Sequence, residues 1–423
     1  MEVPGQVIKS ARSLTLDLPP SCIEFCPAYP EYFVVGTYNL QKDTVLEAEE
    51  SGAPNKDDGH PNAVKPQTRN GSLVVFRLAK DAYDLSHVRT VSYPSALLDL
   101  RFHPVQDKQD VFATVSSTGS LSFFRLSPCQ GTSALLDELA THRPLGNDES
   151  ILILSCAWHP TLPDLLALTT SDHHVHILRV DDSWNVYRTS SVPVITHTLE
   201  AWTVAFSPFV EPPTDPAGNA EYDSSGAAQV LTVYSGGDDS KLRAAACLRA
   251  GDGITTPNPM VVVKGHTAGV TAILPLPLAL SDGSQLVLSG SYDDHIRVYA
   301  VDVQVGGVIL CPPRMINETD LGGGVWRLKL IRVETVNHEG DSRQKIWSVL
   351  VLASCMHAGC RILEIMGDYS HAGQVEVKVL WRFEEHESMN YGSDFQPETD
   401  RGGRPLRCVS TSFYDRLVCL WTV

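Results

Sequence analysis

The chain has 423 residues, 43% of them hydrophobic and 20% charged, which suits a water-soluble protein with a sizeable core. Its 50 acidic and 33 basic residues give a formal charge of −17, which argues against nucleic acid or an anionic membrane as the main partner and for a basic or cationic one. The start, "MEVPGQVIKSARSLTLDLPP", lacks the apolar core of an export signal, and the longest apolar run, 346–356, is far shorter than the roughly 18 residues of a spanning helix. The ten cysteines fall at no metal-binding spacing, so reduced thiols and a cytoplasmic location are expected.

Short β-rich runs recur along the chain, separated by Gly, Asp, Asn and Pro. In order they include "NGSLVVFR" at 70, "TGSLSFFR" at 118, "DHHVHILR" at 172, "DSKLRAAA" at 239, "DDHIRVYA" at 293, "HAGCRILE" at 357 and "DRLVCLWT" at 415. Each is a polar turn followed by a strand whose last large position is Phe76, Phe124, Leu178, Ala245, Tyr299, Leu363 or Trp421. A second signature precedes most of them: "IEFCP", "LRFHP", "CAWHP", "VAFSP", and more weakly "AILP" and "SDFQP". Between the two lies a third strand, such as "LVLSGSY" or "LVLASCM".

This is the WD-repeat pattern, with blades lengthened by loops, and "GHTAGV" leading to "DDHIRVYA" is its clearest copy. The seven copies predict an all-β fold: a single seven-bladed propeller over 1–423, its last blade closed by a strand from near the N-terminus. Ala245 is small where the repeat carries a large residue, so its blade is expected to be less tightly anchored. Inserted loops are expected at 41–69, 209–228 and 333–344, where polar, acidic or Pro- and Gly-rich residues gather.

The unusual residues sort by this register. "GGDD" (236–239), "SYDDH" (291–295), "CMHAG" (355–359) and "SFYD" (412–415) fall between the second and third strands of their blades. "LGGGVWR" (321–327) and "EHESMNYGSDF" (385–395) connect one blade to the next. Both kinds of loop share one rim, where propellers commonly bind ligands. Asp293, His266, Ser289 and Tyr299 read as the structural network of a WD blade, and Asp239 and Asp415 occupy the same turn position. His103 and His159 fall on the opposite rim. "HHVH" at 173–176 alternates along a strand, so strand filling is favoured over zinc.

His357, by contrast, stands where an Asp often stands, and His386, Ser388, Asn390, Tyr391 and Asp394 crowd one loop. No G-x-S-x-G, H-E-x-x-H, P-loop or G-x-G-x-x-G occurs, so the pattern alone names no reaction.

The rim motifs together resemble one WD-repeat family, the diphthine methyl ester hydrolases of diphthamide biosynthesis. The resemblance runs in order over "VVGTY", "SGGDDSKLR", "GSYDDHIRVY", "LGGGVWRLK", "LASCMHAGCRIL", "HESMNYGSDF" and "STSFYDRLVCLW". Two departures are "RAAAC" at 243–247, which lacks the usual Trp-Asp, and Phe395 where Trp is more usual. The resemblance implies hydrolysis of the methyl ester of methylated diphthine on translation elongation factor 2, releasing methanol, so that a ligase can amidate the acid.

It implies no cofactor and no metal. The partners expected are elongation factor 2 and other enzymes of the pathway, and the chain is expected to be a monomer. A non-catalytic scaffold or a methyl-ammonium reader is the alternative. Ester hydrolysis passes through an oxyanion, and Gly322, Gly323 and Gly324 can aim backbone N–H groups at it, or simply make a tight turn. His357 and His386 are the candidate bases, Asp394 a candidate to orient one of them, and Ser388 a candidate nucleophile beside direct attack by water. Trp326, Tyr391 and Tyr414, with Asp238 or Asp239, are candidates to seat the trimethylammonium, and Arg327 adjoins them.

Overall fold

A computed structural model describes residues 3–40, 69–79, 84–128, 134–211, 228–303, 309, 311–337, 345–370, 373, 375–397 and 405–423. Alternating apolar residues make nearly every element a strand. Among the described residues there is no α-helix, only one 3-10 turn at Gln106–Lys108, and no helix is long and apolar enough to cross a membrane.

The strands form seven sheets, antiparallel except for one N-terminal strand. Their innermost strands are Pro20–Phe25, Leu97–Phe102, Ile153–Trp158, Ala201–Glu211, Val270–Ala279, Arg327–Asn337 and Gly392–Phe395, numbered here as blades 1 to 7. Each innermost strand touches the next in order, and the seventh returns to the first, so the ring is closed. The protein is a seven-bladed β-propeller. Large apolar clusters lie between neighbouring sheets; one joins Leu288 and Val298 of blade 5 to Trp347 and Val351 of blade 6. Burial between sheets, not within one, therefore holds the ring.

The closing strand is Ser10–Thr15, antiparallel to Leu417–Thr422 in blade 7. Just before it, Gln6–Ile8 runs parallel to Trp381–Phe383 as a fifth strand of blade 6. The N-terminal segment thus stitches two blades together. The expected insertions differ at their edges: Phe209–Glu211 continue an innermost strand, and Val333–Asn337 continue another. The remainder, 41–68, 212–227 and 338–344, lies outside the described residues.

Candidate active site

The loops 238–241, 292–294, 355–359 and 413–416, and the connections 321–326 and 384–391, all open on one rim around the channel mouth. Trp326 is the hub of that mouth. Its ring lies 5.7 Å from Trp202, 5.9 Å from Tyr292 and 4.9 Å from Tyr391. The arc continues from Tyr391 to Phe413 at 5.4 Å, and from Phe413 to Tyr414 at 5.0 Å and Tyr38 at 6.1 Å. Tyr414 stands at its outer edge, 70% exposed. Trp202, Tyr292, Phe413 and Tyr38 are not among the sequence candidates: Trp202 lies in an innermost strand and the other three just beyond strand ends, and only the placed blades bring the four rings together.

The glycines have distinct roles. Gly322 has φ +80, and its N–H donates to Asp320 at 2.8 Å, so it makes a turn. A Cβ at Gly323 would fall 2.5 Å from the Cys355 carbonyl oxygen and 2.7 Å from Ala358 Cβ. One at Gly324 would fall 2.7 Å from Met356 Sδ. Both glycines are therefore needed for close approach to the 355–359 turn. Among the described residues, neither the Gly323 nor the Gly324 N–H has a hydrogen-bond partner, whereas Val325 N–H donates to Ser291 and Trp326 N–H to Ser354.

His357 is exposed at the tip of that same turn. His386 is not. It is buried, its Nε2 is 2.7 Å from Ser410 Oγ, and Trp421 Nε1 donates to that same Oγ at 3.1 Å. This repeats blade 5, where His266 Nε2 is 3.1 Å from Ser289 Oγ, and blade 4, where His197 Nε2 is 2.9 Å from Ser235 Oγ. His386 is thus a strut of its blade, and burial pulls its pKa down to about 4.

Ser388 Oγ donates to Asp415 at 2.6 Å and lies 2.9 Å from Ser412 Oγ, with no imidazole bonded to it. Asn390 is buried, and its amide donates to the carbonyls of Gly392 and Thr411. Asp239 is bound to Arg243 at 2.7 Å and to His197 at 3.1 Å. Asp238 instead accepts from Trp202 Nε1 at 2.7 Å, within the aromatic arc.

Asp394 corrects the expectation most clearly. It lies in an innermost strand, not in a rim loop, and accepts from Lys329 at 2.9 Å and from Phe25 N–H at 2.7 Å. It contacts neither His357 nor His386. Lys329 also binds Glu24 at 2.7 Å, and Arg327 binds Asp99 at 2.9 Å. Arg101 lies 3.4 Å from Asp99 and 3.7 Å from Glu24. These paired charges form a partial ring contributed by the innermost strands of blades 1, 2, 6 and 7. Burial raises the Asp394 carboxyl, with Lys329 opposing it. Burial also pushes Asp99 up, but Arg101 and Arg327 more than offset this and hold it low. Above the ring, Arg101, Arg327, Thr203, Thr271, Trp202 and Trp326 line a small pocket.

No family model matches the chain. Curated relatives do. The chain is 27% identical to the diphthine methyltransferase of Schizosaccharomyces pombe, over 96% of this chain and 95% of that protein. It is 26% identical to that of Saccharomyces cerevisiae, over 96% of each. The human protein of that name is 25% identical over 91% of this chain and 74% of its own length. This chain is similar over nearly its whole length to proteins named diphthine methyltransferase. Among solved structures it resembles Sqt1 of Saccharomyces cerevisiae, with a TM-score of 0.55 at 12% identity over 99% of this chain and 100% of that one. Sqt1 of Chaetomium thermophilum gives 0.53 at 15% identity, over 95% and 83%. These likenesses speak for the fold alone.

Among the described residues no three His, Cys, Asp or Glu side chains converge as metal ligands. The mouth presents aromatic surface, one carboxylate and an exposed imidazole, with the unpartnered N–H groups of Gly323 and Gly324 buried beside them.

Proposed function

We propose that the chain hydrolyses the methyl ester of methylated diphthine on elongation factor 2, giving methanol and diphthine, as a step of diphthamide biosynthesis. The observation that carries the reading is the pair of unpartnered N–H groups of Gly323 and Gly324 beside an aromatic mouth centred on Trp326. A trimethylammonium ester needs both things: donors for the oxyanion and a face for the cation. Whole-length similarity to proteins named for diphthine supports the substrate.

The chemistry follows from the residues. The ester carbonyl oxygen points at the Gly323 and Gly324 N–H groups. Water attacks the carbonyl carbon, and His357 takes its proton. The tetrahedral intermediate expels methoxide, which leaves as methanol with that proton. The carbon–hydroxyl bond forms first, the carbon–methoxy bond then breaks, and the new acid loses its remaining proton to water. His386 is unsuited to be the base, being buried with a pKa near 4, and Ser388 has no imidazole to activate it. Direct attack by water is therefore the simpler route.

The relatives' names favour a second reading, transfer of a methyl group onto diphthine. The two readings make opposite products. Purified protein is mixed with ester-bearing elongation factor 2 and separately with the unmethylated acid plus S-adenosylmethionine. Methanol from the first mixture, with ¹⁸O from labelled water entering the acid, is the expected result. Methyl incorporation in the second mixture, with no methanol in the first, overturns it. Tight binding of the factor with neither product would leave a reader of methylated ammonium groups.

A further inference from the structure

Asp238 differs from the acids around it. Asp239 is paired with Arg243, Asp293 with Arg297, Asp99 with Arg327, and Glu24 and Asp394 with Lys329. Asp238 is half-buried, and among the described residues it has no cationic partner. Among the described residues its carboxylate accepts one hydrogen bond, from Trp202 Nε1 at 2.7 Å, which also fixes the indole. A half-buried carboxylate among aromatic rings is costly unless a cation joins it.

The surroundings are built for close approach. A Cβ at Gly269 would fall 2.6 Å from Asp238 Oδ1 and 2.9 Å from Tyr292 Cδ2. Only a bare Cα there lets the carboxylate and the tyrosine ring share one corner. Burial and the Asp238 charge both push the Tyr292 hydroxyl up, so it stays neutral. Trp326 touches both Trp202 and Tyr292 and forms the back wall.

We propose that Trp202, Tyr292, Trp326 and Asp238 form a seat for a quaternary ammonium group, placing cation recognition on the side of blades 4 and 5, away from Tyr414. A quaternary ammonium donates no hydrogen bond and is weakly hydrated. Aromatic faces and one carboxylate suit it, whereas a primary ammonium would need several acceptors. The placement also meets the ester. In an aminocarboxypropyl chain the amine and the carboxyl share one carbon, so the carbonyl must lie next to the seat. A Cβ at Gly324 would come 3.4 Å from Tyr292 Cα, so the donor loop borders this corner. Arg327, on the pocket floor, then faces the carboxyl end.

The seat takes its substrate from the hydrolase reading, so the test separates the two. Tryptophan fluorescence of the full chain is titrated with tetramethylammonium and with ammonium. Tetramethylammonium is expected to bind and ammonium not. Asp238→Asn, which keeps the Trp202 contact within reach, should weaken tetramethylammonium about 10-fold, and Trp202→Leu at least as much. Hydrolysis of betaine methyl ester is then compared with that of its neutral isostere, methyl 3,3-dimethylbutanoate. The wild type should prefer the cation, and Asp238→Asn should lose the preference through KM rather than kcat. Equal binding of tetramethylammonium by wild type and Asp238→Asn, with both proteins folded by circular dichroism, overturns the seat. If methanol is still released from elongation factor 2 in that case, the hydrolase stands and the seat falls. If tetramethylammonium binds as expected but no ester is cleaved, the seat stands and the hydrolase falls.

Discussion

Inside the channel and the blades most polar groups are partnered; among the described residues Thr169 Oγ1, Tyr234 Oη and His386 Nδ1 are buried exceptions. Lys329 bridges Glu24 and Asp394, Arg327 meets Asp99, and His266, His197 and His386 each meet a serine. At the mouth several are not. Among the described residues Asp238 has no cation and the Gly323 and Gly324 N–H groups have no acceptor, and His357 is exposed. Groups that hold a fold must be satisfied within it, because an orphan buried polar group costs about 1–3 kcal/mol. Groups that bind a ligand can wait for one. The contrast separates struts from site more sharply than residue type does, since histidine and aspartate occur in both regions.

The comparison breaks first at Lys329. Lys329→Met would leave Glu24 and Asp394 together in the channel without their cation. We expect a loss of about 3–5 kcal/mol in chemical denaturation. The loss should shrink at mildly acidic pH, where Asp394, already raised by burial, takes up a proton. An unchanged midpoint would mean that the ring does not hold the blades.

The blade histidines come next, and they carry a sign. His386 and His266 both have folded pKa values near 4, below the ordinary 6.5, because burial disfavours their charged forms. The unfolded chain therefore binds protons first as pH falls through 6.5. Stability drops from there down to about pH 4, where the loss is complete, each histidine contributing up to about 3 kcal/mol of that drop. His386→Gln and His266→Gln should each flatten the stability curve between pH 6.5 and 4. A mutant curve parallel to the wild type would show that the histidine titrates normally.

Gly323→Ala sits on the border of the two regions. Its methyl meets the Cys355 carbonyl oxygen and Ala358, so we expect about 1–3 kcal/mol of destabilisation from overpacking. Gly322→Ala, exposed but at φ +80, should cost about 1–2 kcal/mol and leave ester cleavage near normal. If Gly323→Ala folds, a fall of about 10²–10³-fold in kcat at unchanged substrate affinity points to a lost oxyanion donor. Full activity would make the loop a packing device.

His357→Ala should be the quietest variant in the melt, within about 0.5 kcal/mol, since the side chain is exposed. Its ester cleavage should fall about 10²–10⁴-fold. Normal cleavage would move the base elsewhere on the rim.

How far the sequence revealed these roles depended on loop length. His266 lies four residues before its innermost strand at Val270, and His197 four before Ala201. His386 lies six before Gly392, and of the three only His266 follows a glycine, so the sequence marked His266 alone as a strut. Asp394 looked like a loop residue because nothing in "NYGSDF" marks where pairing begins. Trp202 and Tyr292 carried the weaker signal of large aromatics at the top of an innermost strand and in a rim turn.

The sequence by itself determined the seven blades, their order and the rim on which the unusual loops gather. Those follow from local rules, a two-residue alternation and recurring turn residues, which repeat wherever the chain is read. Only the tertiary structure decided which polar groups are struts and which are free. That depends on partners at every separation, from Arg297 on Asp293 within one turn and strand to Phe25 on Asp394, which meet only when the ring closes. Whether a carboxylate has a cation beside it is a fact of packing, and no local pattern records it.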